Sequence, residues 1–139
     1  TIIKVQFSMI NKFSKNNDSN KIYDLEERTA QFGEAIIDLC AHIKMGTITT
    51  PLVNQLVRLG TSIGANYCEA NNASSKKDFR NKIFICKKEC QETKHWLRML
   101  IRALPEEKEP INRLWKECQE LTMIFQKITT SIDENNHKH

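Results

Sequence analysis

At 139 residues with a formal net charge of +4, the chain fits one domain large enough to bury a real core. Four glycines and three prolines are few, and β-branched alternation is nowhere sustained, which favours a long-helix architecture over a sheet. Five cysteines (Cys40, Cys68, Cys86, Cys90, Cys118) form an odd set, which with no signal-like opening excludes a disulfide scaffold and predicts reduced thiols in a cytoplasmic protein. The opening TIIKVQFSMI is too short an apolar run for a signal peptide or a membrane span.

Residues 1–20 lack pattern and end in the polar run SKNNDSN, so residues 1–21 are expected to be a flexible tail. Met9 is the first methionine, so the first eight residues are expected to be upstream or added sequence. Asp24 with Glu27 caps the first predicted helix, in which Leu25, Thr29, Phe32, Ile36, Leu39 and Ile43 recur at four-three spacing. It is expected to run from Leu25 to Met45, ahead of Gly46.

Thr50-Pro51 reads as an N-cap followed by proline at the first helical position, opening a second helix to Asn71. Gly60 and Gly64 lie one turn apart within it. Both weaken helix propensity, so a neighbouring backbone is expected to pack closely there.

The third helix, within residues 74–104, carries the most information. Phe79, Ile83, Cys86, Cys90, Thr93, Leu97, Leu100 and Leu104 form one apolar seam, Ser75 with Asp78 supplies an N-terminal cap, and Pro105 stops the run. With Cys90 and Leu97 at heptad position a, positions b, e and f carry Lys77, Arg80, Lys87, Lys88, Lys94, Arg98 and Arg102 without an acid. The stretch holds nine basic and three acidic residues, 9 − 3 = +6, so the remainder of the chain is slightly acidic. Such a stripe is either a solvated bundle surface or a site for polyanion phosphates. The acids Asp78, Glu89 and Glu92 fall at c or g, the side from which Ile85, Trp96 and Met99 also project.

A fourth helix follows from Glu106 or Pro110 to Ile132, with Ile111, Leu114, Cys118, Leu121, Phe125, Ile128 and Ile132 inward and a frayed tail from residue 134. Four helices on short links predict an all-α, up-down-up-down four-helix bundle over residues 22–133.

Other constellations have bland readings. Glu92-Thr93-Lys94-His95 matches the Glu-x-x-His element of di-iron bundles, but it occurs once and lies off the seam. Cys86 and Cys90 lack a Cys-x-x-Cys partner and read as small buried apolar residues, so no metal or other cofactor is expected. Asn66 and Glu69 have no nucleophile, base and orienter around them and read as buried hydrogen-bonding or interface residues, so no enzyme is expected.

The stretch QLVRLGTSIGANYCEANNASSKKDFRNKIFICKKECQETKHWLRML resembles the four-helix bundle family named for proteins encoded in intervening sequences of 23S ribosomal RNA genes. Gln55-Leu56, Ser62-Ile63, Ala65-Asn66 with Glu69, and Ser75-Lys76-Lys77-Asp78-Phe79 match its motifs, and Glu92 falls on its midpoint glutamate. Cys68-Glu69-Ala70 and Asn71-Asn72 replace the usual Ala-Glu-Gly and Gly-Arg, so the turn after the second helix is expected to differ in shape.

The resemblance implies a homopentameric ring, and a related branch works with a reverse transcriptase and its RNA. Two readings follow. One is an oligomer binding RNA or DNA through the basic face, with Ile85, Glu92, Trp96 and Met99 at the subunit interface; the other is an interaction scaffold, possible partner of a reverse transcriptase, without intrinsic nucleic-acid binding. Neither involves a membrane.

Overall fold

The computed structural model describes residues 24–137, and the expected N-terminal tail lies outside them. Four α-helices make up this region: α1 (Leu25–Ala41), α2 (Thr49–Asn71), α3 (Lys76–Ala103) and α4 (Lys108–His137), with a 3-10 turn at Pro105–Glu107 leading into α4. Each is amphipathic because its apolar residues recur every three or four positions, and each turns that stripe inward.

Helix ends follow the caps. Asp24 accepts the Glu27 amide at 3.2 Å, and Ser75 accepts the Asp78 amide at 3.0 Å while Asp78 accepts the Ser74 amide at 3.3 Å. The first helix stops at Ala41 rather than Met45. Its last turn tightens into i to i−3 bonds, from His42 N to Leu39 O and from Ile43 N to Cys40 O, and no apolar position beyond Ile43 needs the core.

α2 begins at Thr49, so Thr50 is not an N-cap. The Thr50 amide reaches Gly46 O at 3.0 Å, and the Thr49 hydroxyl donates to Lys44 O, closing the loop without a side-chain cap. α4 starts at Lys108, which puts Pro110 in its first turn, where the missing amide leaves no helical bond unmade. At the other end α4 continues to His137, past the expected end at Ile132.

Cross-helix contacts define the topology. Thr29 meets Gly64 and Ile36 meets Gly60, so α1 and α2 are antiparallel. Lys82 pairs with Glu69 and Glu89 with Ser62, and Arg80 pairs with Asp133 and Lys87 with Gln126, so α2, α3 and α4 also alternate. The fourth side is closed where Arg28 of α1 binds Glu117 and Glu120 of α4. This is the up-down-up-down bundle, and α3 packs most extensively, on both α2 and α4.

The core is one cluster running the length of the bundle, and it includes the expected seam of α3 from Phe79 to Leu100. Tyr67 and Phe125 meet in it across the bundle with ring centroids 6.1 Å apart. Its polar members are threonines. Thr29, Thr93 and Thr122 each bond the carbonyl four residues back, which satisfies the hydroxyl inside its own helix.

A neighbouring backbone comes close at Gly64 as expected, whereas at Gly60 the close neighbour is the Ile36 side chain. A Cβ on Gly60 would lie 2.9 Å from Ile36 Cγ1, and one on Gly64 3.3 Å from Thr29 Oγ1 and 3.5 Å from its backbone. The α1–α2 seam is tight because these positions have no side chain.

Candidate nucleic-acid interface

The basic side of α3 divides into two rows. Arg80, Lys87 and Lys94 lie seven residues apart at heptad position e, and all three reach across to α4. Arg80 forms a bidentate pair with Asp133 at 2.7 and 3.0 Å, Lys87 donates to Gln126 Oε1 at 2.7 Å, and Lys94 donates to Gln119 Oε1. Successive pairs step seven residues along α3 and seven back along α4, a ladder with the heptad period of the bundle. The guanidinium of Arg80 holds the Asp133 carboxyl below the usual carboxylate range. Lys94 also lies over the Trp115 ring, 5.3 Å from its centroid.

The outer row is different. Lys77, Lys88, Arg98 and Arg102, at b and f, are exposed, and among the described residues none has a hydrogen bond or ion pair. They span 26 residues of unbroken helix, about 38 Å from first to last at 1.5 Å per residue. A rigid rod thus presents cations that the fold does not use. That arrangement can neutralise the phosphates of a polyanion, whereas the e row is largely committed to holding α4.

The opposite flank of α3 faces α2. Glu89 accepts from Ser62 Oγ at 2.6 Å and Asn66 Nδ2 at 2.8 Å, and Lys82 pairs with Glu69 at 2.6 Å. Ser62, Asn66 and Glu69 therefore tie helix to helix. The glutamate on α3 that Ser62 and Asn66 bind is Glu89; Glu92, one turn on, is exposed. Sequence reasoning did not pair Glu89 with α2, although its g position, on the side away from the α4-facing e row, pointed there.

Among the proposed interface residues, Ile85, Trp96 and Met99 are half-buried, and Trp96 packs against the core and edge-on to His95 at 5.2 Å. Among the described residues, the large apolar side chains most open to solvent are Ile37, Met45, Ile48, Phe84 and Met123.

Cys86, Cys90 and Cys118 are fully buried. Cys118 Sγ donates to Cys90 O at 3.1 Å. Burial pushes the Cys86 thiol up to about 12, and the hydrogen bond with Cys118 together with burial raises that of Cys90, so Cys86 and Cys90 stay protonated at neutral pH and are poor nucleophiles. Glu92 and His95 both point outward, and among the described residues no three His, Cys, Asp or Glu side chains gather as metal ligands would. No helix of the described region is long and apolar enough to cross a membrane.

The turn after α2 closes without a glycine. Asn72 caps α2 at φ −107°, and its side chain donates to Cys68 O at 2.8 Å, so no left-handed residue is required.

Comparison with known proteins places this architecture. The family described as 23S rRNA-intervening sequence protein matches residues 14–127. The chain belongs to that family. Among solved structures it is similar to a protein of unknown function of the S23 ribosomal protein family from Bacteroides thetaiotaomicron, with 31% identity and a TM-score of 0.67, over 75% of this chain and 96% of that one. No curated protein matches it. In this member of the intervening sequence protein family, Ser62 and Asn66 join α2 to α3 through Glu89, and Glu69 does so through Lys82.

Proposed function

We propose that this intervening sequence protein is a non-enzymatic, homo-oligomeric bundle that binds RNA or DNA through its phosphates. The observation that carries this reading is the outer row of α3, four exposed cations with no partner among the described residues and no acid within the row. Cations held along a rigid helix bind by releasing counterions from nucleic acid, so affinity depends on salt and little on sequence. Reversal of Lys77, Lys88, Arg98 and Arg102 to Glu tests it. Fluorescence anisotropy should show binding of labelled RNA and DNA by the wild type at low salt and a loss of at least about 100-fold in the variant, with an unchanged helical spectrum. Absence of wild-type binding at low salt leaves the scaffold reading, in which the charge only solvates the bundle.

Assembly is proposed to use the side of α3 that bears Ile85, Glu92, Trp96 and Met99, by resemblance as a pentamer. Multi-angle light scattering at micromolar concentration should give a mass several times that of the chain, and the Ile85→Glu/Met99→Glu pair should reduce it. A monomeric wild type, or a double variant of unchanged mass, counts against this side as the interface.

A further inference from the structure

The b and f rows of the basic side of α3 are interrupted by one large apolar residue. Phe84 lies at position b, seven residues after Lys77, and it is 43% exposed. Its neighbours one turn away on α3 are Arg80, Asn81, Lys87 and Lys88, three of them cations and none apolar. Lys87 Nζ stands over the ring, 5.2 Å from the centroid, and is held there by its bond to Gln126. The ring is thus supported on one side and open to solvent on the other.

We propose that Phe84 is a stacking platform for an unpaired base, so that the ligand of this face is single-stranded nucleic acid. The inference rests on the phosphate-binding reading above and narrows it. In a single strand each base offers a free π face, and a base laid on Phe84 leaves the backbone on either side within reach of Lys88, about 6 Å along the helix axis, and Lys77, about 10 Å in the other direction. In a duplex the faces are stacked on one another, and Phe84 would meet only sugar and phosphate, to which an apolar ring contributes nothing. A protein partner is disfavoured by the setting, because one ring fenced by cations is far smaller than the contiguous apolar area of a protein interface.

The test compares Phe84→Ala and Phe84→Trp with the wild type, using labelled oligouridine, oligodeoxythymidine and a duplex of matched length at one salt concentration. Phe84→Ala should weaken binding to both single strands by roughly tenfold and leave the duplex within about twofold, while Phe84→Trp keeps the affinity and its indole fluorescence is quenched on binding. The two single-stranded probes report separately whether the sugar matters. Wild-type binding with no effect of Phe84→Ala overturns this inference alone, as does an equal loss on single strands and duplex, or a change of oligomeric mass in the variant. If the wild type binds none of the three probes, the phosphate-binding reading fails first and this inference falls with it.

Discussion

Phe125→Ala should lower the stability of the bundle by about 3 to 5 kcal/mol, the range for removing an aromatic side chain from a closed core. Phe125 is fully buried, and its ring centroid stands 6.1 Å from that of Tyr67, so the substitution removes a contact between α4 and α2, helices with no shared side in the bundle. A cavity there cannot be filled by one neighbour leaning in, because the surrounding residues belong to different rigid helices. Domains of this size are stable by about 5 to 15 kcal/mol, so the loss is a large fraction of the total and should move the thermal midpoint down by about 10 °C or more. Urea and thermal unfolding followed by circular dichroism would measure it, with Met123→Ala as the control, since Met123 is 50% exposed and its truncation should stay within about 0.5 kcal/mol. A loss below about 1 kcal/mol for Phe125→Ala would mean that the centre of the bundle is not closely packed.

Gly60→Leu should be the most damaging small-to-large change, costing about 3 kcal/mol, at the upper end for overpacking. Already the first side-chain atom would stand 2.9 Å from Ile36 Cγ1 and 3.2 Å from Cγ2, and Ile36 is itself fully buried and β-branched, with little freedom to turn aside. The remaining Leu atoms must then push α1 away from α2. Removing a helical glycine gains only about 1 kcal/mol in propensity, so the clash wins. Gly46→Ala is the matched control: its Cβ would meet only Thr49 Oγ1 at 3.6 Å and its φ is not positive, so stability should be unchanged within about 0.5 kcal/mol. Denaturant midpoints of the two variants decide the matter, and a Gly60→Leu protein as stable as wild type would show that α1 is only loosely seated.

The architecture was legible because every helix writes its own inward stripe, and the caps at Asp24 and Ser75 fixed two of the starts. Helix ends were less so. The end of α1 and the start of α2 are set by backbone bonds from His42 to Leu39, Ile43 to Cys40 and Thr50 to Gly46, and such bonds have no side-chain signature. At the basic face the composition was legible but the division of labour was not, because a heptad wheel of α3 alone does not say which neighbour it meets. The clue lay on α4, where Gln119, Gln126 and Asp133 recur at the same seven-residue interval as Lys94, Lys87 and Arg80. Reading both helices together separates the three residues that hold α4 from the four that hold nothing. The bonds of Ser62 and Asn66 to Glu89 were hidden for the same reason, since they join side chains of two different helices.

The central claim is that the outer row of α3 neutralises phosphates, and the salt dependence of binding reads this most directly. Anisotropy titrations of a labelled single strand from about 50 to about 300 mM salt should give a straight line of log K against log salt, with a slope of about −3 for each protomer engaged, as four neutralised phosphates require. The variant with Lys77, Lys88, Arg98 and Arg102 reversed to Glu should not bind in that range. A wild-type slope near zero, or a variant that binds along the same line as the wild type, would contradict the assignment of these four residues as the phosphate-binding surface.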